Sequence, residues 1–150
     1  MSKKESVENF ISISKLAVVG VSSSGKKFGN TIFKELKKKG YEVYPINPAA
    51  DKINGEVCYK DIDSLPEKVE GVITVVPPAA TEKIVEDANI AGINSIWMQQ
   101  GSESEKAINY CNENGIDVIH GECILMFAEP VESIHKFHKW LWKIFGKLPK

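Results

Sequence analysis

Five short apolar runs recur along this chain at intervals that leave room for one helix or one long loop between them: Leu16 to Val21, Glu42 to Ile46, Gly71 to Val76, Ser95 to Met98 and Asp117 to His120. Helical periodicity fills three of the intervals, over Thr31 to Lys39, Thr81 to Ala91 and Glu103 to Asn114. Runs such as Leu16-Ala-Val-Val19 and Val72-Ile-Thr-Val-Val76 are apolar on both faces. Such runs suit strands covered by helices on both sides, not one-sided antiparallel hairpins. The pattern predicts an α/β, doubly wound, Rossmann-like parallel sheet of about five strands in three α/β/α layers. A chain of 150 residues fits one such domain, with a core over about residues 14–127.

Turn residues agree with this alternation. Gly40, Gly92 and Gly115 each follow a helical segment and precede a strand, where a left-handed helix cap is easiest for glycine. After the second strand, Asn47 to Tyr59 lacks a helical period, so a loop able to reach over a ligand crevice is expected there. Near the C-terminus, Pro130 opens Val131 to Phe145, whose Ile134, Phe137, His138, Leu141, Trp142 and Phe145 repeat at helical spacing. A closing amphipathic helix is expected, its aromatic face serving as core or as a homodimer contact.

The first strand breaks into Gly20-Val-Ser-Ser-Ser-Gly25-Lys26-Lys-Phe28-Gly29 just before a helix. Small residues let backbone N–H groups approach an anion, and the positive end of the helix dipole adds to the attraction. A nucleotide-type ligand follows. The loop departs from the dinucleotide fingerprint, which would need Gly at Ser22, and from the Walker loop, since Lys26 is followed by Lys27 and not by Ser or Thr. It also lacks the G-x-S-x-G spacing of a hydrolase nucleophile elbow, because Ser24 stands where glycine is required.

Formal net charge is −1, so no global excess of positive charge calls for nucleic acid or an anionic membrane. All nineteen basic residues are Lys, so any phosphate must be held by backbone N–H groups, hydroxyls and ammonium groups. Cys58, Cys111 and Cys123 are odd in number and far apart, and neither a secretion signal nor an apolar run of membrane-spanning length is evident. A soluble cytoplasmic protein is expected.

In an open parallel sheet the ligand crevice lies beyond the carboxyl ends of the strands. Here those ends offer Val21, Ser22, Ser23, Gly25 and Lys26; Asn47 and Pro48; Val76, Pro77 and Pro78; and Gln99, Gln100 and Gly101. Asn47-Pro48 stands where an NAD-binding chain usually has an acidic residue for the ribose, which weakens the NAD reading. His120-x-Glu122-Cys123 lacks the second ligand pair of a recognised metal site. Cys123, at a strand end, is a candidate reactive thiol.

Val18-Val-Gly20-Val-Ser22, Pro45-Ile-Asn47-Pro48, Gly55-Glu-Val-Cys-Tyr59, Val76-Pro77-Pro78, Trp97-Met-Gln-Gln-Gly101 and Gly121-Glu-Cys-Ile-Leu-Met126 together resemble the CoA-binding domain proteins. These are small stand-alone chains similar to the N-terminal domain of the succinyl-CoA synthetase α subunit. The resemblance implies that Gly20, Val21, Ser22, Ser23, Gly25, Lys26, Phe28 and Gly29 meet the phosphates of coenzyme A or an acyl-CoA. Asn47, Pro48 and Lys52 would border the adenosine. Val76, Pro77 and Pro78 would pack on the ligand, and Gln99, Gln100 and Gly101 would line the far wall. The bland alternative is that Pro77-Pro78 only ends a strand and Gln99-Gln100 only caps one. No histidine stands in a motif matching the synthetases' phosphorylated His, so binding without chemistry is expected. The alternatives are an NAD- or nucleotide-binding sensor, or an acyl-CoA-using enzyme completed by a partner.

Overall fold

The computed structural model describes residues 3–25, 27–53 and 55–128. The closing helix expected over Val131 to Phe145 and the side chain of Lys26 lie outside the described residues. Strands β1 (Lys15–Val19), β2 (Glu42–Ile46), β5 (Gly71–Thr74), β6 (Ser95–Gln99) and β7 (Asp117–Glu122) form a five-stranded sheet in the order β2-β1-β5-β6-β7. Every pairing within it is parallel. The remaining two strands, β3 (Lys52–Ile53) and β4 (Glu56–Val57), make a small antiparallel hairpin inside the expected loop after β2.

Among the described residues four helices cover the sheet: α1 (Lys3–Ile11), α2 (Phe28–Lys38), α3 (Pro78–Ile90) and α4 (Glu105–Glu113). Two apolar clusters show the three layers. On one face Val7, Phe10, Phe33, Leu36 and Trp97 pack with Phe127; on the other Val85, Ala88, Ala107 and Cys111 pack against Val72 and Ile96. Trp97 is fully buried, with its ring 5.4 Å from Phe10 and 5.9 Å from Phe127, and its Nε1 donates to the Glu122 carbonyl at 3.0 Å. Apolar area and a satisfied polar atom thus both fasten β6 to β7.

Three expectations shift. The α1 helix was not anticipated, although Val7, Phe10 and Ile11 bury one stripe of it and Ser6 Oγ donates to Asp117 Oδ1 at 2.6 Å. Helix α2 begins at Phe28, three residues ahead of the periodic stretch, and α3 begins at Pro78, so the proline pair starts a helix as well as ending a strand. Proline fits that first helical position because the N–H it lacks would have no intrahelical partner. The three glycines after α2, α3 and α4 do adopt positive φ: +100° at Gly40, +77° at Gly92 and +70° at Gly115. Among the described residues no helix is long and apolar enough to cross a membrane.

Candidate functional site

The direction in which successive strands are added along the sheet reverses at β1, since β2 lies on one side of it and β5 on the other. This switch point opens a crevice at the carboxyl ends of the strands, where the two connecting segments part in opposite directions. Backbone packing there is close. A Cβ at Gly20, whose φ is +121°, would stand 2.2 Å from the Val75 carbonyl oxygen, and one at Gly29 would stand 2.3 Å from the Gly20 carbonyl oxygen. Only glycine lets the end of β1, the start of α2 and the end of β5 meet this closely.

Beyond Gly20, two asparagines hold the loop. The Asn30 amide, 1% exposed, accepts from the Ser22 N–H through Oδ1 at 2.8 Å and donates from Nδ2 to the Ser22 carbonyl at 2.9 Å. Asn47 Nδ2 donates to the Val21 carbonyl at 2.7 Å, while its Oδ1 accepts from the Ala49 N–H at 2.8 Å. The Ser22 and Ser24 hydroxyls lie 2.9 Å apart, and the Gly25 N–H closes a turn on the Ser22 carbonyl at 3.0 Å. The loop is shaped by the protein's own bonds, with the first turn of α2 directly behind it. That helix has no side-chain cap at Lys27, and its first-turn N–H groups form the kind of cluster that suits an anion.

Asn47 therefore ties the β2 exit to the β1 loop, a role its position at a strand end did not reveal. Pro48 and Lys52 are exposed at the start of the hairpin segment. That segment buries Ala50, Ile53 and Cys58 in the cluster on the α2 side, and Glu56 pairs with Lys37 of α2. At the end of β5, Val76 is half-buried while Pro77 and Pro78 are exposed at the uncapped N-terminus of α3. Val75 N–H bonds to the Val19 carbonyl at 2.8 Å, so this end lies beside the β1 loop. Phe28, at the first position of α2, is 48% exposed, an unusual place for a large apolar ring.

The end of β6 divides. Gln99 is 2% exposed and its Oε1 accepts from the Ile124 N–H at 3.0 Å, so its side chain is turned into the protein. Gln100 is exposed and donates from Nε2 to the Gly121 carbonyl at 3.2 Å, beside Gly101. Gly20 to Gly25, Phe28, Asn47, Pro48, Val76, Pro77 and Pro78 thus follow the ends of the adjacent strands β2, β1 and β5, with Gln100 and Gly101 after β6, two strands from β1. A separate cleft of about 500 Å3 lies along the outer edge of β7, lined by Lys3, Ser6, Asn112, Asp117 and His120, and it contains none of these residues.

The two buried cysteines are poor nucleophiles. Burial holds the Cys58 thiol above its ordinary range and pushes Cys111 up to about 11, leaving both protonated near neutrality. Of the His120-x-Glu122-Cys123 group, Glu122 is engaged by Lys3 at 2.6 Å. Sequence reasoning missed Asn30. Its one visible signal was a polar residue on the otherwise apolar inner face of α2, next to Phe33 and one turn from the loop.

Comparison with known proteins places these features in a family. A CoA binding domain model matches residues 14–129. The ADP-forming acetate–CoA ligase of Methanocaldococcus jannaschii is 33% identical over 104 residues, which cover 69% of this chain and 15% of the ligase. The uncharacterized protein YneT of Bacillus subtilis is 32% identical over 132 residues, covering 82% of this chain and 91% of YneT. A solved structure of a conserved hypothetical protein from Pyrococcus furiosus superposes with a TM-score of 0.71 at 38% identity, covering 75% of this chain and 97% of that one. The chain spans only a small part of the ligase and nearly all of the two small proteins. With its switch-point crevice, glycine-packed loop and matched residues 14–129, this chain belongs to the CoA-binding domain family.

Proposed function

We propose that this chain binds coenzyme A or a short acyl-CoA in the switch-point crevice and performs no chemistry on it by itself. The observation that carries the reading is the β1–α2 loop, clamped by Asn30 and Asn47 in front of the α2 N-terminus. A loop already held in shape loses little conformational freedom when an anion docks, so the favourable terms are not consumed in ordering it. Ser22, Ser23, Gly25, Lys26, Phe28 and Gly29 would surround the phosphates. Asn47, Pro48 and Lys52 would lie toward the adenosine, and Val76 to Pro78 would give the pantetheine an apolar wall leading to Gln100 and Gly101. Gln99 would support that wall from inside.

The absence of chemistry follows from the site's groups. Around the loop stand hydroxyls, amides, backbone and Lys ammonium groups, and burial holds the Cys58 thiol, packed behind Asn47, protonated. The ligase relative is several times longer than the matched region, so a ligase-type reaction would need parts beyond that region.

Calorimetric titration with coenzyme A, acetyl-CoA, dephospho-CoA and NAD tests the proposal. Micromolar binding of coenzyme A, weakened by loss of the 3′-phosphate and absent for NAD, supports it. Binding of NAD with none for coenzyme A overturns it. Steady thioester hydrolysis or acyl transfer by the purified chain would overturn the non-catalytic part alone.

A further inference from the structure

We infer that Glu103 makes the crevice selective for CoA thioesters whose acyl group is uncharged, and against those ending in a carboxylate. The inference rests on the CoA reading and concerns the far end of the same site.

Glu103 lies in the β6–α4 connection, and its carboxylate bridges two strand ends. Oε1 accepts from the Gly101 N–H at 3.0 Å and Oε2 from the Gly121 N–H at 3.4 Å. Both glycines have positive φ, +92° at Gly101 and +76° at Gly121, and a Cβ at either would meet no atom within 4 Å. Gln100 adds a bond from its Nε2 to the Gly121 carbonyl, drawing the two strand ends together around the carboxylate. Among the described residues no Lys or His pairs with Glu103; the Lys3 ammonium is taken by Glu122. A negative charge is thus fixed by peptide dipoles at the β6–β7 end, opposite in character to the anion-seeking loop at the β1 end.

The reach of the ligand brings its acyl end there. From β1 to β6 is two strand spacings and to β7 three, roughly 10 and 14 Å. A pantetheine arm has about the backbone length of four extended residues, roughly 14 Å. With its phosphates at the α2 N-terminus and its arm along Val76 to Pro78, a CoA thioester presents its acyl group beside Gly101 and Gly121. An acyl chain ending in a methyl meets only backbone and the Gln100 side chain. One ending in a carboxylate meets Glu103; at a separation of roughly 6 Å, in surroundings between protein surface and water, like charges repel enough for about a tenfold loss of affinity.

The test compares butyryl-CoA with succinyl-CoA, nearly equal in length and different in charge, against the full chain by calorimetry at low ionic strength, with free coenzyme A as reference. We expect butyryl-CoA to bind about tenfold tighter than succinyl-CoA, and Glu103→Gln to shrink that ratio to threefold or less. Because the readout is a ratio within each protein, a general change of affinity in the variant cancels. If Glu103→Gln does not fold, the unaltered protein still decides: the ratio must shrink as salt is raised, as screening requires. Coenzyme A binding normally while the two thioesters bind equally, succinyl-CoA binding tighter, or a ratio indifferent to both the variant and salt overturns the inference and leaves the CoA reading standing. Failure of coenzyme A itself to bind overturns both.

Discussion

Replacing Asn30 with Asp changes one atom of the loop clamp and tests both its structural and its electrostatic role. The Asn30 side chain is 1% exposed, accepting the Ser22 N–H at 2.8 Å and donating to the Ser22 carbonyl at 2.9 Å. Aspartate keeps the first bond and turns the second into an oxygen facing an oxygen. Losing that bond costs about 1 kcal/mol, and burying a carboxylate against a carbonyl adds at least as much, for a total of about 2 to 3 kcal/mol. At roughly 2–4 °C per kcal/mol for a chain of this size, the melting temperature should fall by about 5–10 °C. The new charge should also act on the ligand. With a phosphate roughly 6 Å away, repulsion should weaken coenzyme A by at least about tenfold, some 1.4 kcal/mol.

Asn30→Ala provides the comparison, because it removes both bonds without adding charge. Calorimetry with coenzyme A and thermal melting followed by circular dichroism should find both variants destabilised, with Asp the weaker binder. Lowering the pH until the introduced carboxyl takes up a proton should restore a donor toward the Ser22 carbonyl and recover part of the affinity for Asp but not for Ala. Equal losses of affinity in the two variants would refute the placement of phosphate at this loop. Unchanged melting in both would refute the clamp.

Other consequences can be checked in the same preparations. Gly20→Ala puts a Cβ 2.2 Å from the Val75 carbonyl oxygen at a φ of +121°, so urea denaturation should show a loss of about 3 kcal/mol or more, or no soluble protein; a loss under ~1 kcal/mol would mean that the strand ends can part cheaply. Lys26→Ala should weaken coenzyme A by about 1 kcal/mol or more while melting stays put, and an unaltered dissociation constant would remove this ammonium from the site. Trp97→Ala should cost about 3–5 kcal/mol in urea denaturation, since it empties the space between Phe10 and Phe127. Cys111 is raised from 9.0 to about 11 by burial, so its contribution to stability is full below pH 9, where the unfolded thiol is also protonated, and fades as pH rises toward 11. The urea midpoint should fall less steeply across that range in Cys111→Ala than in the unaltered protein; parallel curves would show that the thiol takes no part.

The sheet was legible because its signals are local and redundant. Val72, Ile73 and Thr74 are buried on both faces, so their apolar run needs no knowledge of neighbours to be read as an inner strand. Gly40, Gly92 and Gly115 mark helix ends through a backbone preference that each glycine carries alone. Strand ends were equally visible, which brought the Ser22 loop, Asn47 and Pro77 onto one edge. Helix α1 had a visible stripe too, Val7 with Phe10 and Ile11, but nine residues give little periodicity to weigh.

What stayed hidden were side chains whose work is defined by a partner distant in sequence. Gln99 and Gln100 are adjacent and chemically identical, yet one is buried on the Ile124 N–H and the other exposed on the Gly121 carbonyl, because Gln99 ends the buried strand β6 and Gln100 opens the exposed turn after it. Asn30 is hidden for a related reason. Its partner, Ser22, is eight residues back across a loop whose course only the folded chain defines. On a helix face otherwise filled by Ile32, Phe33 and Leu36, a buried amide would be costly if left unpaired. The cost is avoided because the amide finds both a donor and an acceptor on one residue of the loop, and that same bidentate match holds Ser22 in place. The polar residue that looks misplaced on an apolar helix is therefore what couples the core to the crevice: a change at Asn30 must register in stability and in ligand affinity together, while one at an exposed loop residue such as Ser23 should register in affinity alone.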